Sequence, residues 1–425
     1  MMFWKKNPSA VLASLLVIHL LAHIDRNMLL GFSPQIIKDL ALSNTQYGFL
    51  VGAVWVLSFG VMAMFMGTLA DRFSRTRVIA AGVLIWSACT LASGHAQSFE
   101  QMVVARFFVA SGEAALVPAA VALLAELFSE KRRGTALGLF FMGIPMGVGC
   151  SFLLAGSFGA THGWRTTFYV LGIIGVAVAL PLALLKEDRS QLAPQERGAP
   201  FVAQALAVLR TVGSNRALGF VIVGFVLVHL VFASFSFSQL WLVNERGMNA
   251  AGIATRIGAL QLVFGTLGAV MGGVMGDRVA SKLRGGHASF MALLVVICAP
   301  LMLACRFVPV SSPLFYIGMC AGFFLPLAVY GPGAAAIMSM APQKMRSTIF
   351  GFTMLSINVF ALAIGTVVIG MAADHFIKAG ATAPLTGVLI ATDVLTISSA
   401  LFFALAARAS RRQRALALQN IQPAR

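Results

Sequence analysis

Four ionisable side chains stand where an otherwise apolar sequence offers them no water: Asp25, Arg26, Arg106 and Glu113. A charge in hydrocarbon is costly enough that its position is a functional candidate by default. Arg106 and Glu113 are seven residues apart. On a helix that spacing returns both to nearly one face, about 10 Å apart along the axis. A carboxyl group taken out of water favours its neutral form, and a neighbouring guanidinium favours the ionised one. Held between these pulls, Glu113 and Asp25 read as proton carriers. Arginine keeps its charge, so Arg106 and Arg26 read as holders of an anion. The competing reading is a static ion-pair network that pins two helices together. His19, His23 and Arg26 form an i, i+4, i+7 stripe. Asp25 projects about 100° round from Arg26, off that line. An imidazole is the side chain suited to titration near neutral pH, so His23 is a candidate to assist. A hydrogen-bonded structural role is the alternative for His19, His23 and His229. Asp393 has no evident partner.

The elements that must position these groups are apolar spans. The chain is 59% hydrophobic and 11% charged, whereas a soluble domain carries about 25% charged residues. A bilayer core requires roughly 20 apolar residues per helix. Stretches near 9–31, 45–70, 77–95, 99–127, 135–157 and 165–185 meet that length, as do stretches near 217–243, 252–275, 288–306, 312–340, 347–372 and 384–407. The roughly ten-residue alternation of a membrane barrel is absent. The expected fold is therefore an all-α membrane protein with twelve transmembrane helices in two pseudo-symmetric six-helix bundles. The expected boundaries are 1–185 for the first bundle, 186–216 for a cytoplasmic linker and 217–425 for the second bundle. Phe201 to Leu209 in the linker reads either as a short amphipathic helix on the membrane surface or as solvated chain.

The net charge of +17 would point to nucleic acid in a soluble protein. Here the basic residues gather at the termini and in alternate loops: Lys5 and Lys6, Arg72 to Arg77, Lys131 to Arg133, Lys282 and Arg284, Lys344 and Arg346, Arg408 to Arg414. That is the positive-inside pattern. It predicts both termini in the cytoplasm of a multi-pass protein of the cell inner membrane, with the bilayer as partner and no nucleic acid. The cysteines Cys89, Cys150, Cys298, Cys305 and Cys320 lack metal or redox spacing and read as small packing residues. The N-terminal apolar run lacks a clear cleavage site and reads as a retained first span.

The halves repeat. Gly67-Thr-Leu-Ala-Asp71-Arg72 recurs as Gly273-Val-Met-Gly-Asp277-Arg278, and Arg133-Gly-Thr-Ala-Leu-Gly138 recurs as Arg346-Ser-Thr-Ile-Phe-Gly351. Gly67, Asp71, Arg72, Arg75 and Arg77 match the G-x-x-x-D-R-x-x-R-x-R loop, and the sequence resembles the major facilitator superfamily along its whole length. Asp25-Arg26, Arg106-x6-Glu113 and Gly163-Trp164-Arg165 are similar to two of its branches, the anion:cation symporters and the spinster-like transporters. The run from Asp71 to Gly82, with Trp86-Ser87 after it, leans to the spinster-like side. The resemblance implies the major facilitator fold and similar roles for the four charged positions. It also implies a gating role for the loop: Asp71 capping a helix N-terminus, and Arg72, Arg75 or Arg77 pairing with Glu126 or Glu130. Asp277 and Arg278 form a reduced second copy. Gly143-x-Pro145-x-Gly147-x-Gly149 is similar to an exchanger motif but lacks its Gly-Pro step, and reads as a packing feature.

The second half offers neutral polar groups for the rest of a substrate: Gln239 among Ser234, Ser236 and Ser238, then Tyr330, Ser356 and Asn358. Helix–helix hydrogen bonding is the alternative for each. No Gly-Lys phosphate loop, H-E-x-x-H or G-x-S-x-G occurs, so ATP drive, enzyme activity, metal and cofactor are not expected. The expectation is a monomer that moves a small organic anion, a carboxylate, by proton-coupled alternating access. A spinster-like carrier of lysolipid or another amphipath is the rival. A non-transporting sensor or scaffold is the alternative of another class.

Overall fold

Backbone groups in hydrocarbon have no water to bond, so each apolar stretch closes its hydrogen bonds internally as a helix. The computed structural model describes residues 7–62, 74–184 and 201–421. Among these, twelve helices are long and apolar enough to cross a membrane. They are α1 (Pro8–Gly31), α2 (Asn44–Met62), α3 (Arg75–His95), α4 (Phe99–Leu127), α5 (Arg132–Gly156), α6 (Phe158–Leu180), α7 (Arg216–Ser236), α8 (Ala250–Ala280), α9 (Gly286–Ala304), α10 (Pro313–Met340), α11 (Gln343–Lys378) and α12 (Pro384–Gln413). No strand occurs among the described residues.

Helix starts follow local chemistry. The first amides of a helix have no partner within it, and a short polar side chain supplies one. Ser43 forms a reciprocal capping box with Gln46 at α2. Ser98 opens α4, Asn215 opens α7, and Asn249 opens α8. Ser312 opens α10 with Pro313 at its first position, where a missing N–H costs nothing. Gly163 breaks α6 near its start at φ +78°, a left-handed conformation that glycine adopts without steric cost. The next residue but one, Arg165, donates to the carbonyls of Gly94 (3.0 Å) and Ala96 (2.6 Å) at the end of α3.

Four helices are distorted, three by π-helical turns and α4 by a break. A π-helical turn at Phe49–Ala53 precedes Trp55 in α2, and others occupy Gln261–Gly265 in α8 and Ile357–Ile364 in α11. The first helical piece of α4 ends at Glu113, and the second begins at Leu116. Pro118 explains the break: it has no N–H for the carbonyl of Ala114, and its ring clashes there. Glu113 thus stands at the end of a helical piece.

The chain packs into two compact units. The first comprises Met1–Pro194, Ser236–Leu262 and Thr366–Gly380; the second comprises Gln195–Phe235, Val263–Gly365 and Ala381–Arg425. The first has an apolar core of Leu15, Val83, Trp86, Leu116, Phe140 and their neighbours. Within it, α3 and α4 meet at glycines. A Cβ on Gly112 would lie 2.5 Å from the Gly82 carbonyl oxygen, and one on Gly82 would lie 2.6 Å from that of Gly112. Likewise a Cβ on Gly147 of α5 would collide with His23 of α1. The glycine-rich run in α5 therefore serves close packing. The second unit has its own core around Leu218, Phe225, Met291, Leu325 and Phe403. The linker segment forms a helix, Phe201–Ser214, longer than the amphipathic stretch expected. Its Val208 is buried in the second core, so the helix belongs to that unit's packing.

Candidate functional site

The π turn in α2 and the glycine contact between α3 and α4 bring α1, α2, α3 and α4 around one buried cluster. Asp25 on α1 is 2% exposed, Arg106 on α4 is 5% exposed and Glu113 is 7% exposed. The Arg106 guanidinium meets the Asp25 carboxylate at 2.9 Å. It also donates to the main-chain carbonyls of Asp25 (3.2 Å) and Arg26 (3.4 Å). Thr90 on α3 donates to the other Asp25 oxygen. Phe168 of α6 lies under the guanidinium, with Cζ 5.7 Å from the ring centroid. Asp25 and Arg106 thus compensate one another.

Glu113 and Arg26 do not pair with each other directly. Trp55 stands between them. Its indole N–H donates to Glu113 Oε2 at 2.9 Å, and Arg26 Cζ lies 3.4 Å from its ring centroid. Phe59 stacks on the far side at 4.5 Å and 18°. Glu113 Oε1 is buried and accepts no hydrogen bond. Among the described residues no carboxylate comes within ion-pair distance of Arg26. The cluster therefore holds one satisfied Arg–carboxylate pair and one pair bridged by an aromatic ring. The indole suits both ends, since its N–H is a donor and its face carries negative charge.

The histidine stripe lies beside this cluster. His19 Nδ1 sits 2.9 Å from the Phe140 carbonyl, and its ring stacks on Phe140. His23 meets His19 edge-on with centroids 4.8 Å apart. Gln239 also belongs to the first unit: it is buried, and its Nε2 is 3.4 Å from the Ala250 carbonyl. Tyr330 and Asn358 belong to the second unit and converge on Met354. The Tyr330 hydroxyl reaches its sulfur at 2.9 Å, and Asn358 Nδ2 donates to its carbonyl at 2.9 Å. His229 is wholly buried near Tyr330, with ring centroids 5.5 Å apart.

Of the loop residues, Gly67, Asp71 and Arg72 lie outside the described residues, as does the Glu130 side chain. Arg75 pairs with Glu126 at 2.6 Å, tying the start of α3 to the end of α4. Arg77 is exposed. In the second copy, Asp277 is exposed and lies 3.5 Å from His287 Nε2, and Arg278 is exposed beside it.

Three functional candidates escape the sequence reading. Trp55 is one. The second is Arg306, just past the end of α9, which supplies the partner Asp393 lacked in the sequence. Arg306 Nε meets the Asp393 carboxylate at 2.8 Å, and Nη2 donates to Ser234 at 3.1 Å. The second unit is therefore not restricted to neutral polar groups. The third is Asp374, in α11. It accepts from the amides of Asn44 (3.0 Å) and Thr45 (2.9 Å) and from their side chains at 2.8 and 2.6 Å. An acid capping a helix N-terminus was expected of Asp71; among the described residues Asp374 does this for α2.

A bundle of apolar helices that encloses compensated and bridged charges is the build of a membrane transporter. The chain belongs to the Major Facilitator Superfamily, whose family model matches residues 15–366. It is 27% identical over 411 residues to an MFS-type efflux pump of Mycolicibacterium smegmatis, covering 95% of this chain and 93% of that one. It is 28% identical over 334 residues to the cis,cis-muconate transport protein of Acinetobacter baylyi, covering 76% of this chain and 78% of the relative. Among solved structures, a bacterial homologue of the human lysosomal transporter spinster superposes with a TM-score of 0.82 at 22% identity, covering 96% of this chain and 98% of that one. That likeness confirms the major facilitator fold of twelve helices in two pseudo-symmetric bundles.

Proposed function

We propose that the protein is a proton-coupled secondary transporter of a small organic anion, a carboxylate, working by alternating access. The observation that carries this reading is the Arg26–Trp55–Glu113 bridge beside the Asp25–Arg106 pair. An ionised Glu113 draws the indole N–H, and the indole face in turn holds Arg26. Protonation of Glu113 weakens the first bond, because a hydrogen bond to a charged acceptor is stronger than one to a neutral acid. Arg26 is then left as a cation short of negative charge, and a substrate carboxylate supplies it. Arg106 reaches the substrate only by giving up Asp25, so protonation of Asp25 is the step that frees it. Trp55 and Phe59 give the anion's carbon skeleton an aromatic wall. His23, Gln239, Tyr330 and Asn358 complete the substrate contacts in this reading. Arg75–Glu126, with Gly67, Asp71, Arg72, Arg77, Asp277 and Arg278, forms the gating set that biases the two-state equilibrium.

The relative named for muconate, a dicarboxylate, supports the choice of cargo. The 28% identity over 211 residues to a sphingosine-1-phosphate transporter of Xenopus tropicalis keeps a lysolipid or another amphipathic molecule as the second reading, and the Trp55–Phe59 stack suits that cargo as well. In this proposal the working halves are 1–185 and 217–425, the protein acts as a monomer in the cell inner membrane, and both termini are cytoplasmic by the positive-inside pattern.

Uptake into proteoliposomes under an imposed pH gradient tests the coupling. Glu113→Gln is expected to abolish gradient-driven accumulation while leaving substrate exchange. Accumulation that survives collapse of the gradient, or survives Glu113→Gln, refutes it. Competition between muconate-like diacids and lysolipid separates the two cargoes.

A further inference from the structure

The second unit carries a cationic pocket that the transport reading does not use. A cavity of about 890 Å³ opens between the first turns of α7 and the last turns of α12. It is lined by Arg216 and Phe220 from α7 and by Leu405, Arg408, Arg411 and Arg412 from α12. Helical spacing explains the arrangement. Arg216 and Phe220 are four residues apart, and Leu405, Arg408 and Arg412 follow at steps of three and four, so each helix sets basic residues one turn beyond an apolar one. The two helix ends are fixed to each other: Gln413 Nε2 donates to Asn215 Oδ1 at 3.3 Å, and Asn215 itself caps α7 through the Leu218 amide at 3.2 Å. The four guanidiniums are exposed. No ion pair with a described carboxylate engages any of them, and no acidic residue lines the cavity.

We propose that this pocket is a binding site for an anionic phospholipid, its phosphodiester held by Arg216, Arg408, Arg411 and Arg412 and its first acyl carbons lying on Phe220 and Leu405. Guanidinium forks match phosphate geometry bidentately, and basic pockets between transmembrane helices are suited to anionic headgroups. A topology signal requires only charge at a helix end. A concave site with four cations above an apolar floor goes beyond that requirement, and its mixed character excludes a purely soluble anion as the best fit. Arg216 opens the apolar run of α7, and Arg408, Arg411 and Arg412 follow directly on the last apolar run of α12, so the charged turns suit headgroup depth and the floor suits the acyl region.

The test uses the full chain purified in a mild neutral detergent. Thermal unfolding is followed with added phosphatidylglycerol, cardiolipin or phosphatidylcholine at equal mole ratio, and with inorganic phosphate or glycerol phosphate. Native mass spectrometry counts retained lipid. The anionic lipids are expected to raise the unfolding midpoint and phosphatidylcholine to leave it in place. Each basic residue at an anionic surface is worth about a five-fold factor in affinity. The triple variant R408Q/R411Q/R412Q is therefore expected to bind phosphatidylglycerol roughly 100-fold more weakly. A control variant, K282Q/R284Q, removes exposed basic charge elsewhere in the same unit and is expected to bind normally. Equal stabilisation by phosphatidylcholine, equal loss in the control variant, or a full shift from phosphate or glycerol phosphate alone overturns the proposal. If the triple variant does not fold, Arg216→Gln by itself is expected to lower affinity about five-fold, and unchanged lipid retention in that variant overturns it as well.

Discussion

Trp55→Phe isolates one bond of the proposed coupling. Phenylalanine keeps an aromatic face for Arg26 and for the Phe59 stack, but it removes the N–H that meets Glu113 Oε2 at 2.9 Å. Glu113 Oε1 has no hydrogen bond to compensate, so the ionised carboxylate loses the direct donor it has. A hydrogen bond to a charged group is worth about 1.5–3 kcal/mol. One pH unit corresponds to about 1.36 kcal/mol of preference between protonation states, so the loss translates to about one to two pH units. The sign follows from which form the bond favours. The N–H stabilises the ionised form, so without it the protonated form persists to more alkaline pH. The pH of half-maximal gradient-driven uptake is expected to rise by about one to two units in Trp55→Phe, with the substrate KM changed less than in Trp55→Leu, which also removes the face under Arg26. The assay is initial uptake into proteoliposomes across a pH series, with folding checked by size-exclusion and thermal unfolding. A folded Trp55→Phe protein with an unshifted profile refutes the role of the bridge.

Other consequences are open to measurement. Asp25→Asn and Arg106→Gln each strand a buried partner and are expected to destabilise by about 3–5 kcal/mol; the double variant should cost clearly less than the sum, and strict additivity in equilibrium unfolding would deny the pairing. Arg306→Gln should behave as Arg106→Gln does in stability, because Asp393 is left buried and unpaired, yet leave the pH profile of uptake in place. Asp374→Ala removes the acceptor for the Asn44 and Thr45 amides. Hydrogen exchange at those amides should quicken roughly ten-fold, the equivalent of about 1.4 kcal/mol, with little change at the α4 start.

The spans were legible in the sequence because a bilayer imposes one strong constraint, a long charge-poor run, and each expected stretch lies on a helix wherever it is described. Asp25, Arg106 and Glu113 were legible for the complementary reason, as charges within such runs. What the sequence did not carry were facts set by tertiary approach. Trp55 reads as one more apolar residue until the π turn in α2 and the break in α4 at Pro118 place its N–H beside Glu113. Arg306 falls at the edge of its expected span and reads as a flanking cation, although its side chain turns back to Asp393. Asp374 lies in the last turns of α11, and only its meeting with residues some 330 positions away shows the cap. The α12 helix runs on to Ile421, past the expected end at 407, because Arg and Ala in its tail are good helix formers that hydropathy does not register.

In the proposed cycle the state of satisfaction of a buried charge matters beyond its location. Each unit buries an arginine against an aspartate: Arg106 with Asp25 at 2.9 Å, and Arg306 with Asp393 at 2.8 Å. Breaking such a pair by taking one partner away costs about 3–5 kcal/mol, which is a large fraction of what a gradient can deliver to a single proton. A pair of that kind holds helices well and changes state reluctantly. Glu113 and Arg26 differ from both, since their charges meet through an indole, with one carboxylate oxygen unbonded and the guanidinium lacking an anion among the described residues. Protonating Glu113 gives up one hydrogen bond to a charged acceptor, about 1.5–3 kcal/mol, and leaves the cation–π contact in place. In the proposed cycle the bridged pair therefore responds first to a proton or an anion, and Asp25–Arg106 opens after it. Glu113→Gln, which fixes the neutral form, should accordingly leave the release of Arg106 dependent on Asp25 alone, whereas Asp25→Asn should leave the Trp55–Glu113 bond in place and responsive to pH. In a background that keeps Trp55 as its one tryptophan, fluorescence across a pH series should change with Asp25→Asn and stay flat with Glu113→Gln, and a flat Asp25→Asn profile refutes this order.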